Sequence, residues 1–192
     1  MIFGRKRRSG TGRAVAAFLV AWLAIALWGD AAEARNLTAE EALKLEATIR
    51  AFDRAVRESD YRAMVDAMPP RILGALASAT NTPVARWKAS AAAMMRNAFS
   101  EATLLEFSMR LDRASSGTLP DGMAYALIPT ETKIVMNAVG RIESEAHTLA
   151  LYDDGRWYVI RLNDPAQIKQ LRDAYPALSN VELPQGSMKF LD

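Results

Sequence analysis

Hydrophobic positions along this chain change their period once. From Leu37 to about residue 99 they recur every three or four residues, and from about residue 103 they alternate with polar ones. In LTAEEALKLEATIRAFDRAVRES, Thr38 and Glu41 have capping-box spacing, and Ala42, Leu45, Ile49, Phe52 and Val56 form one apolar stripe. This predicts a helix of about twenty residues. Asp60 is the expected cap of a second helix in DYRAMVDAM, stopped by Pro69-Pro70, and RILGALASAT reads as a third helical piece. Thr82 before Pro83 predicts the start of a fourth, TPVARWKASAAAMMRNAF, with Val84, Trp87, Ala91, Met94 or Met95, and Phe99 inward.

In TLLEFSMRLD, Leu105, Phe107, Met109 and Leu111 alternate with Glu106, Ser108, Arg110 and Asp112, the pattern of a strand wet on one face. ASSGTLPDG is a loop, and MAYALIP and TKIVMNAV read as two strands separated at Pro129. RIESEAHTLALY and GRWYVIRL follow as a hairpin around Asp153-Asp154-Gly155, where Gly155 supplies a positive φ. Pro165 opens a closing helix in DPAQIKQLRDAY, and Pro176 ends it. Residues 176–192 are expected to be a largely irregular tail with a short edge strand at Ser187 to Leu191. The predicted fold class is α+β: N-terminal helices packed on one face of a curved antiparallel sheet of four to five strands, with a closing C-terminal helix. Uninterrupted strands argue against a doubly wound parallel sheet.

The N-terminus changes how the charge is counted. Arg5, Lys6, Arg7, Arg8 and Arg13 precede fifteen apolar residues from Ala14 to Trp28, and Ala32-Glu33-Ala34 fits a signal peptidase site. Residues 1–34 are therefore expected to be a signal peptide, leaving Arg35 as the mature N-terminus of one domain over residues 35–192. The apolar run rises about 22 Å, short of a roughly 30 Å hydrocarbon core, which favours cleavage over the competing outcome of an uncleaved anchor. Without the leader's five basic and two acidic residues, totals of 24 and 22 become 19 and 20, a net charge of −1. The basic pI belongs to the leader, so nothing in the domain argues for nucleic acid. There is no cysteine, which excludes thiol catalysis and thiolate metal sites.

A long first helix, a second beginning in SDYRAMVDAM, a third, and then a meander with a YDDGRWYVI hairpin resemble the nuclear transport factor two-like superfamily over roughly residues 38 to 175. The resemblance implies a cone, in which a bent sheet wraps over helices and leaves a pocket at its open end. It carries no diagnostic catalytic motif. The superfamily includes isomerases, dehydratases, ligand binders and periplasmic assembly domains, so the resemblance selects no function. The closing helix and tail depart from its usual pattern.

Candidate chemistry is sparse. Glu143, Glu145 and His147, the only histidine, share one face of a predicted strand with Arg141, Leu149 and Leu151. Same-face neighbours lie roughly 6.6 Å apart, so three in line do not converge on one ion without partners from elsewhere. A solvated face turning apolar where it is covered is the favoured outcome. Tyr61, Tyr125 and Trp157 join these three as candidate pocket or interface residues, with Asp112, Tyr152 and Tyr158 as weaker polar candidates. No catalytic set, metal site or cofactor is expected. The methionines read mainly as core filler. Arg110, Arg141 and Arg161 are expected to pair with acids such as Glu106 and Glu143, ahead of forming an anion site.

Together these features lead to an exported periplasmic domain that binds or assembles without catalysis. It would take an envelope protein partner or a small apolar ligand through the cone mouth or sheet face, with homodimers among the arrangements open to it. The alternatives are an isomerase- or dehydratase-like enzyme using the cone pocket, and a membrane-tethered secretion-system assembly subunit.

Overall fold

The computed structural model describes residues 37–191 apart from Ala138 and Asp164. The expected leader, and the cleavage expected before Arg35, lie outside the described residues. Four helices come first: α1 (Ala39–Arg57), α2 (Tyr61–Asp66), α3 (Pro70–Ala79) and α4 (Val84–Ala98). Strands β1 (Ala102–Met109), β2 (Ser115–Thr118), β3 (Ala124–Met136), β4 (Gly140–Asp153) and β5 (Arg156–Leu162) follow. Helix α5 (Pro165–Ala174), a 3-10 turn (Pro176–Asn180) and β6 (Ser187–Leu191) close the chain. The α+β class is as expected, with six strands in the sheet.

Local chemistry sets the helix ends. The Thr38 hydroxyl accepts from the Glu41 amide at 3.2 Å while the Glu41 carboxylate accepts from the Thr38 amide at 2.8 Å. Asp60 caps α2 by accepting from Ala63 N–H at 3.0 Å. The expected Thr82 cap does not form. Asn81 turns the chain with φ 47°, and the Thr82 hydroxyl donates to the Thr80 carbonyl, so α4 begins at Val84 behind Pro83.

The sheet is built on the long β3–β4 hairpin, edged on each side by two shorter strands. Along β3, β2 pairs with Ala124 to Leu127 and β1 with Thr130 to Met136. Along β4, β6 pairs with Arg141 to Glu145 and β5 with His147 to Asp153. Pro129 does not split β3 into two strands, as the sequence suggested. Its carbonyl accepts from Arg110 N–H at 2.8 Å, so its missing amide faces the break between β1 and β2, where no ladder bond is needed. In β1 the simple alternation fails at a bulge between Leu104 and Glu106. Phe107 is buried as expected, but Leu105 is 48% exposed because the extra residue falls out of phase. The β4–β5 turn is the expected tight hairpin, with φ 48° at Asp154 and 78° at Gly155.

Helices cover both faces of the sheet's base, not one. On the first face Leu45 and Ile49 of α1 pack on Ala126, Ile128, Ala150, Trp157 and Val159. On the second, Ile72, Ile168 and Leu171 pack with Leu127, Leu149, Leu151, Ile160 and Leu162, joined by Tyr175, Leu178, Val181 and Leu183. The tail is thus partly core, and it ends in the edge strand expected at Ser187–Leu191. Helix α4 packs on α2 and α3 through Ala91, Ala92, Trp87 and Met95.

Candidate functional site

Register determines which candidate residues can meet. Side chains alternate between faces along a strand. Tyr125, Leu127 and His147 therefore share the second sheet face, opposite the face under α1, where Leu151 stands across from Tyr125 and Pro129 from His147. With Ser115, Val181, Glu182 and Pro184 they line an open cavity of about 400 Å³. Gly117 lies opposite Tyr125 in β2, and a Cβ there would come 2.7 Å from the tyrosine ring. Glycine is what lets that ring lie over β2. Partial burial lowers the His147 pKa from its ordinary 6.5, so the imidazole in this cavity is neutral near pH 7, with one donor and one acceptor nitrogen.

The other candidates go elsewhere. Glu143 and Glu145 lie further along β4 toward the hairpin tip. The Lys133 ammonium is 2.9 Å from Glu106 and 3.8 Å from Glu143, so a lysine, in place of the expected arginines, pairs these acids on the face that alternation predicted to be solvated. Tyr61 stacks on Phe99 with ring centroids 6.4 Å apart, between α2 and the end of α4. Trp157 is 1% exposed on the opposite face, and its indole N–H donates to the Glu41 carbonyl at 2.9 Å, tying α1 to β5. Of the six candidates, Tyr125 and His147 line one cavity together. No three histidine or acidic side chains could hold a metal ion among the described residues. A second open cleft, about 610 Å³, runs beside α1, where Arg50 and Arg57 pair with Glu46 and Asp53 on the same helix.

Three features escaped the sequence reading. Tyr175, 1% exposed, donates to Asp153 at 3.1 Å and lies under the Arg71 guanidinium; burial first, then Asp153, pushes its pKa well up. The arginines do not form the expected row: Arg110 pairs with Asp112, Lys133 takes both glutamates, and Arg161 stands on the opposite face, in register with Thr148. Strand β6 leaves Met188 60%, Phe190 63% and Leu191 36% exposed. Consecutive apolar residues at 190 and 191 signal that edge in the sequence, whereas the phase of Arg161 depends on the β4–β5 register. No protein family, curated protein or solved structure matches this chain.

Proposed function

We propose that this chain is an exported, periplasmic, non-catalytic assembly domain of the cone-like superfamily it resembles, and that it takes a protein partner on β6. The observation that carries this reading is the state of that strand. All five of its residues are exposed, three of them large and apolar, and among the described residues it pairs only with β4. An edge strand of this kind offers a partner a row of free backbone groups beside apolar anchors. Lys189 in its middle discourages indiscriminate edge pairing, which suits one selected partner.

The test is a photo-crosslinking residue at position 190 of the full-length chain in its native host, with position 169, exposed on the outer side of α5, as control. A discrete adduct at 190 and not at 169 supports the proposal, and an adduct of twice the chain's mass makes the partner a second copy. Equal labelling at the two positions overturns it. A second reading, a small ligand on the other face, rests on the cavity that holds neutral His147 beside Tyr125. Ligand-dependent shifts of the His147 ring protons would support it.

A further inference from the structure

Among the described residues, Arg161 is a largely buried cation of the sheet that forms no ion pair. Its Nη1 donates to the Thr132 hydroxyl at 2.9 Å and its Nη2 to the Ser144 hydroxyl at 3.1 Å. Its Nε is buried with no acceptor among the described residues, and none of their ion pairs includes it. Burial lowers its pKa, yet a guanidinium stays charged. An arginine taken partly out of water with only two neutral acceptors is incompletely compensated.

The register explains how it comes to lie there. Arg161 sits opposite Thr148, and Ser144 is four residues further along β4, so the side chain reaches along the strand over the small Ala146. Thr130 and Thr148 do not help it, since their hydroxyls bond each other at 2.9 Å and Thr130 donates to the Ile128 carbonyl. Thr132 and Ser144 face each other across β3 and β4. Each accepts one N–H from Arg161 and keeps its own O–H free to donate. Two hydroxyl donors and the remaining Nη hydrogens are thus gathered on one half-buried stretch of this face. That is a donor set for an oxyanion.

The next rung toward the hairpin tip is wholly apolar. Leu104, Ile134, Ile142 and Phe190 stand in register across β1, β3, β4 and β6 on the same face. Ile142 is buried, Leu104 and Ile134 are half-buried, and Phe190 is exposed. We propose that Arg161, Thr132 and Ser144 bind the carboxylate of a small amphiphile, an alkyl carboxylate whose chain lies on Leu104, Ile134 and Phe190. The site is separate from the Tyr125–His147 cavity, which opens on the other face. It does not require that β6 take a partner.

Titration calorimetry on the full chain with decanoate, decanol and sulfate tests it. Decanoate binds the wild-type protein, Arg161→Met weakens it at least tenfold, and decanol binding changes less than threefold. Ser144→Ala, which keeps the charge and removes one hydroxyl, weakens decanoate severalfold, and it serves as the test if Arg161→Met fails to fold. Sulfate binding as tightly as decanoate would overturn the amphiphile. Absence of decanoate binding, or equal binding by wild type and Ser144→Ala or Arg161→Met, would overturn the site and leave Arg161 as a clamp between strands.

Discussion

The two ends of the β3–β4 hairpin are built from the same strands yet do different work. At the base, Ala126, Ile128, Leu149, Ala150 and Leu151 are buried on both faces, between α1 on one side and α5 with the tail on the other. At the tip the same strands carry Lys133, Glu143 and Glu145 on one face, with Ile134 and Met136 half-buried on the other. The base reads in sequence as near-continuous apolar runs, AYALI and LALY, whereas the tip half of β4, RIESEA, sets Arg141, Glu143 and Glu145 in alternation with Ile142, Ser144 and Ala146. A strand buried on both faces loses its period, and one open on a face keeps it. Scaffold and working surface are therefore written along one hairpin: the Arg161 side chain, rooted opposite Thr148, reaches toward the tip, where the apolar edge of β6 lies.

Truncation at the two ends sharpens that contrast most. Leu149→Ala should cost about 2–5 kcal/mol in urea unfolding, because a fully enclosed leucine leaves a cavity. Ile134→Ala, with its side chain half-open, should cost no more than about 1 kcal/mol; equal losses would break the comparison. Gly117→Ala comes next, since the new methyl meets the Tyr125 ring, and a loss of about 1–3 kcal/mol is expected by thermal unfolding. Thr38→Ala removes the N-terminal cap of α1 and should cost about 1 kcal/mol, measured the same way.

The smallest effect is a pH slope. Burial lowers the folded-state pKa of His147, so the unfolded chain binds its proton first as the pH falls. Stability should be unaffected by this group above the ordinary 6.5 and should decline below it toward the folded pKa. His147→Gln should flatten that part of the urea midpoint against pH. An unchanged slope would place the histidine in water.

Much of this division was legible from residues alone. The capping box, the Asp60 cap, the hairpin at Gly155, the edge strand and the wet face of Glu143 and Glu145 all depend on local spacing, and all five formed. What was not legible depends on partners distant in sequence. Pro129 passes through a strand because two short neighbours happen to break beside it, and Leu105 is expelled by a bulge that its own alternation conceals. The burial of Leu178, Val181 and Leu183 needs a sheet face across the molecule. Likewise Arg161 changes from a surface ion to a half-buried donor through its register with Thr148.

Hydrogen exchange on the full chain, resolved by peptide, tests most directly whether one end of the hairpin holds and the other is open to work. Amides of residues 124–128, 130 and 146–151 should exchange only through global unfolding, with protection tracking the urea-derived stability. Those of residues 187–191 should exchange orders of magnitude faster by local opening. Protection at β6 equal to that of the base would contradict the account, because an edge as firmly held as the core would have no free surface to offer.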